Sequence, residues 1–166
     1  MTQVSQAMTT GVRSMAPNES VMKAAQAMSE LDVGVIPVCD GDRLVGMVTD
    51  RDIVLRGVAQ GCPADQTPLS SVMTRDAVWC YEDQSVEEVA EKMRESQVRR
   101  MPVVDRDQHL VGMLSLGDIA TKAGMREGGE ALKEISEPSE PDRSSQSAAS
   151  GAAGGGSTYT PRKEGR

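Results

Sequence analysis

The chain has 166 residues with a formal net charge of −7 at pH 7, and it holds one Trp, two Tyr and no Phe. That length suits one ordinary domain with a sizeable core, and the acidic balance, with a pI of about 4.8, argues against nucleic acid as a partner. So few aromatics leave the core to Val, Ile, Leu, Ala and the 11 Met, whose flexible thioethers ordinarily fill gaps. Cys39, Cys62 and Cys80 show no Cys-x-x-Cys spacing, and the single His109 sits in a turn-like stretch. No His/Cys metal cluster is therefore expected, and the thiols read as reduced and structural, as in a cytoplasmic protein. The N-terminus lacks the basic and apolar regions of a signal peptide, and no apolar run approaches the roughly 20 residues of a membrane helix.

Taken in order, the chain is an internal repeat. Setting Met8-Thr9 on Met73-Thr74 gives an offset of 65 that also aligns Ser20-Val21 with Ser85-Val86 and Pro37-Val38 with Pro102-Val103. After the turn the offset becomes 66, because 105–109 is one residue longer than 40–43. Each unit is expected to begin with a short strand, near Val12–Met15 or Val78–Cys80. A helix follows, with apolar stripes at Val21, Ala24, Ala25, Met28 and at Val86, Val89, Ala90, Met93, the i, i+3, i+4, i+7 pattern of one buried face. Ser85-Val-Glu-Glu88 is a capping box, while Ser20 lacks the acidic partner. A proline-containing strand comes next, its Pro37 or Pro102 marking an edge or a strand start. A polar turn, a third strand and a second helix complete the unit. A unit of about 60 residues is marginal alone, so two should share one domain. The expected divisions are 1–66, 67–135 and a low-complexity tail, 136–166, too poor in apolar residues to order.

One motif closes both units: Gly46-Met-Val-Thr-Asp-Arg-Asp-Ile53 and Gly112-Met-Leu-Ser-Leu-Gly-Asp-Ile119. A hydroxyl and, three residues on, a carboxylate at the strand–helix join suit a phosphate and a sugar. The carboxylate offers two acceptors to ribose hydroxyls, and the hydroxyl and backbone amides suit phosphate. An arginine fork matches phosphate, which makes Arg51, Arg99 and Arg100 of interest. Strand alternation turns only one of Arg99 and Arg100 inward. A plainer reading stands beside this one. Thr49 and Ser115 are also good N-caps, Asp52 and Asp118 good first-turn acids, and the arginines could face solvent or pair with Glu91 or Glu95.

The hydrophobic-Pro-Val strand, the Asp-bearing turn and Gly-x-x-Thr/Ser-x-x-Asp, each present twice, resemble the cystathionine-β-synthase (CBS) domain. Its paired repeats form a Bateman module. The resemblance spans about Val4 to Met125, and is to stand-alone bacterial pairs such as the hypoxic-response type. It implies an α/β fold of tandem β-α-β-β-α repeats packed with pseudo-two-fold symmetry. Two clefts between the repeats would bind an adenosine derivative such as AMP or ATP. It places Thr49, Arg51 and Asp52 with Val78, Arg99, Arg100, Met101 and Pro102 in one cleft. Ser115 and Asp118 join Val12, Gly34, Val35, Ile36 and Pro37 in the other. The position before the hydrophobic-Pro pair commonly carries the family's basic residue, which favours Arg100 and makes the Thr49/Asp52 cleft the expected nucleotide site.

The expected function is adenine-nucleotide sensing by a regulatory homodimer without a catalytic cofactor. The alternative is a dimerisation scaffold whose clefts are idle. An enzyme is disfavoured, since no nucleophile–base grouping and no Gly-x-x-x-x-Gly-Lys loop occurs.

Overall fold

The computed structural model of the chain describes residues 2–123. The expected tail, 136–166, lies outside the described residues.

Both striped segments form helices of 11 residues. After the short α1 (Val4–Ala7), α2 runs Val21–Leu31 and buries Val21, Ala24, Ala27 and Met28. Ala25 of the expected stripe lies exposed, Ala27 taking its place inside. Ser20 caps it by accepting from the Lys23 N–H. The equivalent helix Val86–Ser96 buries Val86, Val89, Ala90 and Met93 and starts in the full capping box of Ser85 and Glu88. Each ends in a left-handed residue, Asp32 (φ 52°) and Gln97 (φ 53°).

Strands β1 (Val35–Asp40) and β2 (Arg43–Thr49) form one antiparallel hairpin. In the second repeat β3 (Cys80–Tyr81) runs parallel to β4 (Arg100–Val104), which pairs antiparallel with β5 (Leu110–Ser115). The registers are equivalent, Val35 opposite Thr49 and Arg100 opposite Ser115. Both prolines stand third in their strands and fit the edge reading: β1 has β2 as its one partner strand, and β3 reaches only Val103 and Val104, leaving Pro102 paired on one side. The expected first strands shrink. Around Val12–Met15 only a single parallel bridge, Met15 to Val38, is made, and the second copy starts at Cys80 rather than Val78. One or two ladder positions leave too few residues for periodicity to register.

Each hairpin runs directly into a helix. For the first this is α3 (Asp50–Asp52), a π-helical continuation Ile53–Gly57 and a 3-10 turn Val58–Gln60. The helix Val86–Ser96 is α4, and α5 (Leu116–Asp118) continues as a π-helix, Ile119–Ala123.

Contacts across the repeats exchange their opening segments. The α1 segment belongs to the second repeat's core, where Val4 and Ala7 pack with Val86, Met93, Leu114 and Ile119. The Val4 N–H donates to the Gln84 carbonyl and the Val86 N–H to that of Thr2. Conversely, Leu69, Val72 and Met73 complete the first repeat's core with Val21, Ile36 and Val48. Two small backbone ladders fasten the exchange: Thr9 with Met113, and Thr74 with Met47. At both, glycine is required by close approach. A Cβ on Gly112 would stand 2.7 Å from the Thr9 carbonyl oxygen, and one on Gly46 2.8 Å from that of Thr74. The boundary expected near residue 66 therefore follows the repeat in sequence, while in space residues 4–9 and 69–74 each cross to the other unit.

Candidate functional site

The motif residues are locally self-satisfied. The Thr49 hydroxyl accepts from the Asp52 N–H at 3.0 Å, and the Asp52 carboxylate accepts from the Thr49 N–H at 3.0 Å. Ser115 and Asp118 repeat this at 3.0 and 2.9 Å, and the Ser115 hydroxyl also lies 2.8 Å from Asp118 Oδ2. Both are capping boxes with Asp as the third residue, so the plain N-cap reading is physically real in each copy.

Their surroundings differ. The Thr74 hydroxyl lies 3.3 Å from each carboxylate oxygen of Asp52, which gives that carboxylate a partner on the crossing segment. Asp118 instead lines a cavity of about 380 Å³ together with Ser115, Met113 and Arg100 of the second repeat. Its other wall comes from the first repeat, with Val35, Ile36 and Pro37 of β1 and, on and just after the crossing segment, Thr9, Thr10, Val12 and Arg13. At its lip Gly11 adopts φ +67°, with open space around a would-be Cβ; there the turn, not crowding, favours glycine. The Asp118 Oδ1 lies 3.7 Å from Lys122 Nζ, and that amine donates to the Ala7 carbonyl at 3.0 Å. Arg13 pairs loosely with Glu30 at 3.5 Å, both largely exposed, a contact worth little in water.

The cavity thus gathers most of the set expected around Ser115: Asp118, Val12, Val35, Ile36 and Pro37. Gly34 stays outside the lining, its α-carbon facing the Asp50 carboxylate, 3.1 Å from a would-be Cβ. One assignment changes. Arg100 was expected beside Thr49 and Asp52, but it stands opposite Ser115 in the β4–β5 ladder and lines the Ser115/Asp118 cavity. The reason is register: residues 35 and 100 occupy equivalent places, opposite the motif hydroxyl of their own hairpin. The other members of the expected Thr49 set take varied positions. Arg51 lines a separate depression with Asp50, Val54 and Leu55, and Arg99 is exposed, its carbonyl accepting from the Leu116 N–H. Met101 is fully buried, Pro102 is buried, and Val78 packs on the second core. Sequence reasoning missed Thr9, Thr10 and Arg13; the alignment of Thr9 with Thr74 was the available signal that this segment crosses over.

Burial raises the Cys39 thiol and pushes that of Cys80 up to about 12, which makes both poor nucleophiles. Asp105, Asp107 and His109 bring donor atoms within 4.8 Å of one another. Asp105 is already engaged there, one oxygen accepting from the Asp107 and His109 N–H groups and the other 3.1 Å from the His109 ring. Among the described residues, no helix is long and apolar enough to cross a membrane.

The CBS domain family matches twice, at residues 4–58 and 69–123. The chain is 42% identical over 137 residues to CBS domain-containing protein YhcV of Bacillus subtilis, covering 82% of this chain and 96% of that protein. It is 40% identical over 122 residues to Hypoxic response protein 1 of Mycobacterium tuberculosis, covering 72% and 84%. The crystal structure of Hypoxic Response Protein I with two coordinated zinc ions superposes with a TM-score of 0.67 at 38% identity, over 72% of this chain and 98% of that one. CBSX2 in complex with AMP gives 0.65 at 27% identity, over 74% and 96%. The CBS domain pair of MJ0100 with 5-methylthioadenosine and S-adenosyl-L-methionine gives 0.65 at 28%, over 78% and 98%. The match to the inosine-5'-monophosphate dehydrogenase of Methanocaldococcus jannaschii covers only 21% of that enzyme. Two matched repeats, packed into one α/β unit with a cleft between them, place this chain in the CBS domain family.

Proposed function

We propose that the chain is a regulatory module that binds an adenine nucleotide, AMP or ATP, in the Ser115/Asp118 cavity. The observation that carries this reading is the cavity of about 380 Å³ between the repeats, which has apolar walls, one carboxylate and two arginines. Its size and mixed lining suit a small polar ligand. Val35, Ile36 and Pro37 offer an apolar face to the base. Asp118 supplies acceptors for ribose hydroxyls. Arg100 and Arg13 suit a phosphate through charge-assisted hydrogen bonds. The adenosine ligands of CBSX2 and MJ0100 support the class. The cationic lining favours a phosphorylated member over S-adenosylmethionine, whose sulfonium is positive. The Thr49/Asp52 motif, its carboxylate engaged by Thr74, acts here as a structural cap rather than as the primary site.

The proposed role is sensing by a cytoplasmic homodimer rather than catalysis. In support, the side chain of the sole histidine is held by Asp105 in a turn. The scaffold reading draws on one observation, that each hydroxyl–carboxylate pair of the motif already satisfies itself. Thermal unfolding with millimolar AMP, ATP, NAD and S-adenosylmethionine separates the two. A ligand of the folded state raises the midpoint, so AMP or ATP is expected to raise it most. A midpoint unmoved by all four would favour the scaffold.

A further inference from the structure

We propose that Lys122 is a positioning residue for the nucleotide cavity, its single amine fastening both walls from outside the lining. This rests on the reading that the Ser115/Asp118 cavity takes an adenine nucleotide, and adds a group that sets the affinity. Lys122 Nζ stands 3.7 Å from Asp118 Oδ1, four residues earlier on the same helical run. The same amine donates to the Ala7 carbonyl at 3.0 Å. Ala7 ends α1, and two residues later the chain enters the cavity wall at Thr9, continuing through Thr10, Gly11, Val12 and Arg13. One side chain therefore holds the acceptor of one wall and the approach to the other.

The first repeat shows what this residue adds. The repeat offsets set Arg56 at the place of Lys122, Val72 at that of Ala7, Thr74 at that of Thr9 and Asp52 at that of Asp118. Arg56 Nη1 donates to the Val72 and Met73 carbonyls at 3.5 and 3.2 Å. In both repeats, then, a cation satisfies carbonyls where the crossing segment's helical turn ends. The carboxylates differ. Asp52 takes the Thr74 hydroxyl as its partner, whereas Asp118 has Lys122 and the equivalent Thr9 lines the cavity. Lys122 thus leaves the Thr9 hydroxyl to the ligand. It also selects an oxygen. Asp118 Oδ2 already accepts from the Ser115 N–H at 2.9 Å and lies 2.8 Å from the Ser115 hydroxyl. Oδ1 is the oxygen turned to Lys122, and it is the one a ribose hydroxyl can share. An ammonium has three donors and a carboxylate oxygen two lone pairs, so the amine can hold Oδ1 and the Ala7 carbonyl together while Oδ1 still accepts from the ligand.

Calorimetric titration of AMP and of adenosine into the full wild-type chain, Lys122→Met, Lys122→Arg and Arg56→Met tests the assignment. The Lys122 side chain is 45% exposed and methionine keeps an unbranched apolar stem, so the fold should survive, as circular dichroism will report. Lys122→Met is expected to weaken AMP and adenosine alike, by about three- to tenfold, the net worth of one hydrogen bond. Lys122→Arg should restore wild-type binding, because an arginine performs the same task in the first repeat. Arg56→Met should lower the unfolding midpoint yet keep wild-type affinity for both ligands, since Val72 and Met73 belong to the first repeat's core. Unchanged affinities in Lys122→Met would overturn the proposal, as would an equal loss in Lys122→Met and Arg56→Met, which would make the effect one of stability. A loss confined to AMP would make Lys122 a direct phosphate contact and overturn its positioning role. A wild-type chain that binds neither ligand overturns the nucleotide reading, and the proposal with it.

Discussion

Cys80 is fully buried beside β4, and burial holds its thiol neutral up to about pH 12, whereas an unfolded chain ionises it near pH 8.5 (about). The folded pKa is the higher one, so this contribution is fully present below the unfolded value and declines as pH rises from about 8.5 toward 12. Alkaline denaturant titrations should show that decline, and Cys80→Ala should flatten it. Thiol labelling gives a parallel readout. Cys62 should react with a disulfide reagent in the native state, while Cys39 and Cys80 wait for unfolding. Glycine at 112 is a steric requirement, with the Thr9 carbonyl 2.7 Å and the Met8 sulfur 2.8 Å from a would-be Cβ. Gly112→Ala should therefore cost about 1–3 kcal/mol in urea unfolding. Its motif role was legible as a repeated Gly; the reason was not, because the strand pressing on it comes from more than 100 residues away in sequence.

Among the elements, the two 11-residue helices were the most legible, because their stripes and caps are local properties of the chain. Ser85→Ala should destabilise by about 1 kcal/mol through loss of its cap, measured by the same urea titration. Glu88 then loses the hydroxyl that holds its own N–H, although its carboxylate still reaches the Ser85 N–H. The hairpins were equally plain, their proline-bearing strands and polar turns marking both ends. What was overstated was the opening strand of each unit, expected over Val12–Met15 and Val78–Cys80 and reduced to one bridge at Met15 and two residues at Cys80–Tyr81. Arg100 shows the same limit at the site. Its strand could be recognised, but which cleft it lines depends on the β4–β5 register and on how the repeats face each other.

At the level of the whole molecule, exchange of the opening segments ties the two repeats into one unit. Val4 and Ala7 are fully buried in the second repeat's core, although they open the first repeat in sequence. Val4→Ala should cost about 2 kcal/mol from lost methyl burial and the cavity left behind. Hydrogen exchange should then rise across α4, β4 and β5 rather than across α2 and β1; uniform loosening of α2 and β1 instead would contradict the exchange. The same segment carries Thr9, Thr10 and Arg13 to the cavity, so the site is complete only when both repeats are folded together. That junction is where the functional reading is most exposed to test. Calorimetric titration of AMP into the wild-type chain, Arg100→Ala and Arg51→Ala measures it directly. Arg100→Ala should lose about 10- to 100-fold in affinity, equivalent to the roughly 1.5–3 kcal/mol of a charge-assisted hydrogen bond, and Arg51→Ala should bind as the wild type does. Equal affinities for the wild type and Arg100→Ala would contradict nucleotide binding in the Ser115/Asp118 cavity.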